Sequence, residues 1–337
     1  LDMLALGMVV PVLPHLIEDF LGGDTSRAAL MVGYFGTVWA VMQFFAMPVM
    51  GALSDRFGRR PVILLSNLGL GLDYVLMALA PTLSWLFVGR LISGVTAASI
   101  STSMAYVADV TPPERRAQSF GFVGVAFGLG FVLGPAIGGL LGSVDPRLPF
   151  WAAACASLLN AAYGYFILPE SLAREKRRAF EWRRANPLGS LRFLRAHREV
   201  FALAGATFLS NLTHAVLPAV LVLYSAYRYG WDEKVVGRAL AGVGISSALV
   251  QGVLVGPLVR RIGERRVMIG GLLAGTAGFM LYAFAPTGVW FVAAIPIVGL
   301  WGLAGPTSQG IMTRAVGGSA QGELQGAMGS LAGIATV

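Results

Sequence analysis

Asp2, Asp73 and Arg90 are charged side chains that stand inside long apolar runs of this sequence. A charge held at mid-bilayer costs about 2.5–3.5 kcal/mol on insertion scales, so it persists where it lines a cavity or meets an opposite charge. Pro81-Thr82-Leu83 reads as a turn between two apolar helices. Asp73 precedes Pro81 by eight residues and Arg90 follows Leu83 by seven. At 1.5 Å of rise per residue both lie roughly 10–12 Å below that turn. They share a depth and are placed to neutralise each other. Two readings stay open: a static ion pair, or a carboxylate whose proton is exchanged. A carboxyl that alternates between water and a buried cation is loaded with a proton and then unloaded. Asp2 lies about 22 Å from the far end of the first apolar run, taken at Ile17. It reads as a second intramembrane acid, or as an acid near the membrane interface.

Neutral polar residues punctuate the same runs. Gln43 and Asn67 do so in the first part of the chain, and Asn211, His214, Ser246, Ser247, Gln251 and Gln309 in the second. Such groups bridge helices, for about 0.6 kcal/mol on average, or contact a substrate. His214 is the one that titrates near neutral pH. Gln43, Asn211, His214, Ser247, Gln251 and Gln309 are the substrate-cavity candidates. The run Gly130-Phe-Val-Leu-Gly134-Pro135-Ala-Ile-Gly138-Gly139 puts small residues at i, i+4 and i+8. That spacing permits close helix approach, and Pro135 removes a backbone donor. The face reads as tight packing or as a seam along which helices slide. Lys176 and Lys234 are the only lysines, and neither follows a phosphate-binding glycine loop. No His-Glu-x-x-His or CxxC metal pattern occurs, and no nucleophile–base–acid set points to an enzyme. No cofactor is expected; an ion gradient or the substrate's own gradient supplies the energy.

The elements that must hold these residues follow from composition. The chain has 337 residues, 56% hydrophobic before its 44 glycines are counted, and 12% charged. A soluble domain is about 25% charged. An ordinary cytosolic enzyme and a disordered chain are excluded, and an all-α membrane protein is expected. Period-two alternation is lacking, which excludes a barrel. Spans are predicted near 1–17, 28–52, 62–80, 84–108, 120–142, 148–168, 201–224, 236–259, 267–285, 289–313 and 323–337, the last one partial. The net charge of +8 comes from bases recurring in the gaps, not from one nucleic-acid-binding stripe. Gaps 53–61, 109–119, 169–200, 260–266 and 314–322 carry most of the arginine, so they are cytoplasmic and the N-terminus is too. The stretch 169–200 reads as a solvated linker with amphipathic pieces on the anionic inner leaflet, or as a partner-binding segment. Cys155 stands alone, so no internal disulfide is possible.

The sequence repeats at an offset of 205 residues. Gly51-Ala-Leu-Ser-Asp-Arg-Phe-Gly58-Arg-Arg matches Gly256-Pro-Leu-Val-Arg-Arg-Ile-Gly263-Glu-Arg, Trp85 falls on Trp290 and Gly94 on Gly299. Two six-helix halves in parallel repeat are expected: 1–168, a cytoplasmic linker over 169–200, and 201–337. No initiator Met is present, and the chain begins and ends within apolar runs. It reads as a fragment lacking part of the eleventh helix and all of the twelfth.

These residues resemble the major facilitator superfamily and, within it, the tetracycline-type drug:proton antiporters. Gly51-Ala-Leu-Ser54-Asp55-Arg56-Phe-Gly58-Arg59-Arg60-Pro61 is similar to the superfamily's signature between the second and third helices. Arg90 within GRLISG resembles its fourth-helix motif, and Gly130 to Gly139 the antiporter motif of the fifth. Leu1-Asp2, Val10-Pro11-Val12-Leu13-Pro14, Leu72-Asp73-Tyr74, Gln321-Gly-Glu-Leu-Gln325-Gly and Ser330-Leu331 resemble the tetracycline-pump branch. The resemblance implies the major facilitator fold and proton-coupled efflux of drug-like amphipathic molecules across a bacterial-type inner membrane. It implies a cytoplasmic gate at Gly51, Asp55, Arg56, Gly58, Arg59 and Arg60, in which Asp55 meets arginines or a helix N-terminus. It also implies coupling or transport roles for Asp2, Asp73 and Arg90. Pumps of this branch can carry a His in the eighth helix and an Asp in the ninth, where Ser247 and Gly275 stand here. That departure predicts weak recognition of metal-chelated tetracycline, with His214 as a substitute titrating group. The expected partners are the bilayer, a small-molecule substrate and protons, with no nucleic acid and no metal, and the chain is expected to be monomeric. A facilitator or importer on the same fold and a non-transporting membrane sensor are the alternatives.

Overall fold

Apolar runs of this length satisfy their backbone polar groups internally by forming helices, and in the computed structural model they do. The backbone is described for all residues except 97, 98, 183, 184, 232 and 337. The side chains are described for all but these and 25, 99, 131, 188, 190, 191, 214–223, 226, 233, 234, 237, 240 and 336.

Helix α1 is Asp2–Phe20, interrupted by turns at 10–12 around Pro11, and α2 is Thr25–Phe57. Then come α3 Arg59–Leu79, α4 Leu83–Val110, α5 Arg116–Gly142 and α6 Leu148–Ile167. A short helix, α7 Pro187–Ala196, precedes α8 Arg198–Tyr229. Helix α9 starts as Glu233–Leu249, passes through a π-helical turn at Val250–Leu254 and ends as Val255–Ile262. It is followed by α10 Glu264–Phe284, α11 Gly288–Ala315 and α12 Gln321–Thr336. Among the described residues, nine helices are long and apolar enough to cross a membrane. The remaining two expected spans, 201–224 and 323–337, lie within α8 and α12.

Local chemistry sets several boundaries. The Asp24 carboxylate accepts the Arg27 backbone N–H at 3.0 Å and caps α2. Gly58, at φ 103°, ends α2 and opens α3; Gly263, at φ 83°, does the same between α9 and α10. Only glycine adopts this conformation readily, and the two positions are one repeat apart.

Contacts group the chain into two units. The first comprises Leu1–Val110, Leu129–Arg198 and Val316–Val337; the second comprises Thr111–Gly128 and Glu199–Ala315. Ile17, Tyr74, Met77, Leu86 and Phe150 fill the core of the first unit, and α12 lies along α2. In the second, the rings of Tyr282 and Phe291 stack at 3.9 Å, and α10 packs on α11. Large apolar side chains face outward, among them Leu65, Leu140, Phe166 and Phe284. Water would not tolerate so much exposed hydrocarbon, and a bilayer covers it.

The segment 169–200 is not wholly solvated. Leu172, Ala185 and Leu194 are buried, α7 packs on α12, and the Arg178 backbone N–H donates to the Asp55 carbonyl at 3.0 Å. The expectation of a solvated linker resting on the leaflet is corrected to that extent.

Candidate functional site

The three intramembrane charges all belong to the first unit, in different surroundings. Asn160 of α6 donates its side-chain amide to Asp2 Oδ1 at 2.9 Å. Asp2 lines a small cavity with Leu6, Trp39, Leu70, Tyr74 and Ser93. Asp73 is 2% exposed, and neither of its carboxylate oxygens has a hydrogen-bond partner among the described residues. Arg90 forms no ion pair with it among the described residues. Its guanidinium instead stands over the Trp39 ring, 5.4 Å from the centroid. Equal depth is therefore not pairing.

Both glycines of the GRLISG segment explain this placement. A Cβ at Gly89 would lie 2.5 Å from Met77 Cγ and 3.2 Å from Asp73 Oδ1, so α4 closes on α3 there. A Cβ at Gly94 would lie 2.7 Å from Met42 Cβ and 3.1 Å from the Trp39 carbonyl, so α4 also closes on α2. Side chains at either position would push Arg90 away from Trp39 or Asp73.

The glycine run of α5 packs against α1, the helix that carries Asp2. A Cβ at Gly130 would meet Met3 at 2.6 Å, and one at Gly134 would meet the Gly7 Cα at 2.6 Å. Gly138 abuts Met8, and Pro135 reaches Gly7. Gly139 has open space around it and takes no part.

The α2–α3 junction gathers a charged cluster. Arg59 is fully buried, and its guanidinium donates to Asp55 Oδ1 at 2.5 Å, Ser54 Oγ at 2.7 Å and Asp109 Oδ2 at 3.0 Å. The two Asp55 oxygens accept the backbone N–H groups of Gly322 (3.1 Å) and Glu323 (3.0 Å). The carboxylate thus satisfies free donors at the start of α12, where the helix dipole favours negative charge. Gly51 abuts Gly322, which lets α12 approach. Glu170 accepts from the Arg59 backbone N–H at 2.9 Å. Arg178 donates to Ser319 Oγ at 3.0 Å and pairs with Glu323. Arg56 and Arg60 turn away: Arg56 sits over Phe57, and Arg60 bonds the Tyr165 carbonyl at 2.6 Å.

In the second unit, Gln251 donates to Ser247 Oγ at 3.0 Å and abuts Gly121 of α5. The π-helical turn contains Gln251; such turns often mark functional positions. Gly275 lies under the Trp301 indole, where a Cβ would be 2.9 Å from Cγ. The tryptophan fills the volume an acid at 275 would need. Asn211 and Gln309 are half-buried on α8 and α11. Gln43, the remaining cavity candidate, is buried in the first unit with no partner for its Nε2. The side chain of His214 lies outside the described residues.

Glu264 pairs with Arg314, and at the repeat offset Glu264 corresponds to Arg59 and Arg314 to Asp109. The ion pair recurs with its polarity reversed. Arg116 donates to the Thr111 carbonyl at 3.3 Å, and its repeat counterpart Gln321 donates to the Val316 carbonyl, also at 3.3 Å. Sequence reasoning missed Trp39, Asn160, Asp109 and Arg178. For Asp109 and Arg314 the repeat held the signal, since they pair up under the same offset as the motif. For Asn160, far from Asp2 in sequence, no such signal existed.

The model of the Major Facilitator Superfamily matches residues 1–337. The class C tetracycline resistance protein of Escherichia coli is 39% identical over 337 residues, covering 100% of this chain and 84% of that protein. The class D protein of Salmonella ordonez is 34% identical over the same length, again 100% and 84%. The crystal structure of the human organic anion transporter MFSD10 (TETRAN) superposes with a TM-score of 0.87 at 26% identity, over 99% of this chain and 88% of that one.

Proposed function

The chain belongs to the Major Facilitator Superfamily, and on that premise we propose that it is a secondary active transporter that exports drug-like amphipathic molecules across the inner membrane in exchange for protons. The observation that carries this reading is Asp73, a buried carboxylate without a partner beside Tyr74 of the Asp2-lined cavity. A group so placed gains a hydrogen-bonding proton when the site is dry and gives it up when water or a cation reaches it. Export of tetracycline is what the names of the class C and class D relatives suggest. Ser247 and Gly275 supply no ionisable group, so weakly basic or neutral amphiphiles are the expected substrates rather than a charged tetracycline–metal complex.

In this reading Asp2, Asp73 and Arg90 carry coupling. Gln43, Asn211, His214, Ser247, Gln251 and Gln309 contact substrate. Gly51, Asp55, Gly58 and Arg59, with Asp109, form a cytoplasmic gate, and Arg56 and Arg60 hold its flanks. The Gly130, Gly134 and Gly138 face, with Pro135 beside Gly7, keeps α1 against α5. The working unit is a monomer with its N-terminus in the cytoplasm and two six-helix halves, 1–168 and 201–337, joined by 169–200. It uses the proton gradient and no cofactor. The test is a drug-susceptibility panel in a pump-deficient bacterial host, with uptake into everted vesicles under an imposed pH gradient. Raised resistance and uptake abolished by collapsing the gradient are expected; gradient-independent equilibration would make it a facilitator instead.

A further inference from the structure

Arg90 and Asp73 stand at one depth in the first unit, yet the guanidinium lies on an aromatic ring and the carboxylate is left bare. An isolated carboxylate in an apolar interior is costly, and an arginine within reach is its obvious partner. Something must compete for the arginine. A tryptophan face attracts a desolvated cation, and Trp39 supplies that face at 5.4 Å. Its position is fixed by Gly94, which lets α4 rest on the Trp39 backbone. The indole Nε1 and the Arg90 Nε are both buried with no hydrogen-bond partner, so the contact between the two side chains runs through the ring face.

We infer that Trp39 is a positioning residue for proton coupling: it holds the Arg90 guanidinium on its ring and thereby keeps the Asp73 carboxyl free to take up and release a proton. The inference rests on the transport reading above but adds a residue to it. Asp73 and Tyr74 of α3 are the titratable groups within electrostatic reach of Arg90, and Asp2 of α1 acts in turn on Tyr74. Among the described residues, helix α2 offers Trp39 and no charged side chain to this cluster. Asn160 of α6 is neutral and already engaged with Asp2.

Removal of the ring face releases Arg90 to pair with Asp73. The test is an infrared titration of the protonated-carboxyl band in the purified, lipid-reconstituted protein, with Asp73→Asn identifying the band that belongs to Asp73. In Trp39→Leu the midpoint of that band is expected at lower pH by about one unit or more, the size of effect an adjacent arginine has on an aspartate. Trp39→Phe retains a ring face and is expected to keep the wild-type midpoint. Arg90→Lys keeps the charge but loses the flat stacking surface, and is expected to shift the midpoint in the same direction as Trp39→Leu. It serves as the second probe if the leucine variant does not fold. An unmoved midpoint in Trp39→Leu, or in Arg90→Lys where the leucine variant is unfolded, overturns the inference. So does an equal shift in Trp39→Phe and Trp39→Leu. The titration needs no transported substrate. A wild-type protein that shows the Asp73 band but no gradient-driven uptake of ethidium or tetracycline would therefore sink the transport reading and its coupling role for Trp39, while the titration still decides whether Trp39 keeps Arg90 off Asp73.

Discussion

Asp73 and Asp55 are both buried acids, and the difference between them lies in their partners. Asp55 has Arg59 and two backbone N–H groups, whereas Asp73 has none. A fully hydrogen-bonded carboxylate is built to stay charged, and a bare one is built to change state. Asp73→Asn is therefore expected to abolish gradient-driven uptake while the protein still inserts and folds. Uptake that keeps its pH dependence in this variant would place the proton elsewhere. Asp55→Asn loses the charge that holds both Arg59 and the α12 N-terminus. It is expected to slow export, and to raise the reactivity of a cysteine introduced at Ser319 towards a membrane-impermeant thiol reagent in everted vesicles. Unchanged export kinetics would remove the gating role.

At the scale of elements, the contact between α1 and α5 depends on hydrogen atoms standing where side chains usually do. A Cβ at Gly134 meets the Gly7 backbone, which cannot swing aside. Gly134→Val is expected to destabilise the protein by roughly 1–3 kcal/mol, the usual cost of overpacking, seen as a lower melting temperature in detergent. Gly139→Ala, with open space around it, is the matched control. It is expected to be tolerated, since alanine also favours the helix by about 1 kcal/mol. Equal losses in the two variants would contradict the assigned seam. The segment after α6 acts as a strap because Arg178 binds both the end of α2 and the residues around the α12 N-terminus. Arg178→Ala is expected to increase trypsin cleavage within 169–186 severalfold in everted vesicles. Cleavage at the wild-type rate would show that the backbone contact alone holds the strap.

For the molecule as a whole, the repeat joins two ion pairs of opposite polarity, Arg59–Asp109 and Glu264–Arg314. The geometry demands a pair at this place and is indifferent to which helix carries the cation. Breaking a buried pair by removing one partner costs about 3–5 kcal/mol; the Arg314 side chain is partly exposed, so its pair is expected to fall below that range. Glu264→Arg alone is expected to lower expression and melting temperature, and the double exchange Glu264→Arg with Arg314→Glu to restore most of the loss. Failure of the double variant to recover would mean that the surroundings of Glu264 require an acid there. The drug profile belongs to this scale as well. Resistance to unrelated hydrophobic drugs with weak tetracycline resistance is expected, measured as inhibitory concentrations; strong, selective tetracycline resistance would show that Ser247 and Gly275 do not set the substrate.

Composition and spacing by themselves determined that the chain is a multi-span helical membrane protein with an internal repeat, and the glycine-arginine signature carried its family. Those properties are written locally: apolar runs of bilayer length, bases in the gaps, and glycines at 51 and 58 where a close approach and a positive φ leave no other choice. The depth of Asp73 and Arg90 was legible for the same reason, because a helix rises by a fixed step per residue. Their partners were not. Which way a side chain faces depends on how helices rotate against neighbours distant in sequence, so Arg90 stacking on Trp39 and Asn160 reaching Asp2 emerged only from the packed fold. The same holds for α12, whose first N–H groups meet Asp55 more than 260 residues earlier in the chain. It holds for Gly275 too, where the sequence displays a missing acid and the tertiary structure displays the tryptophan that occupies its place.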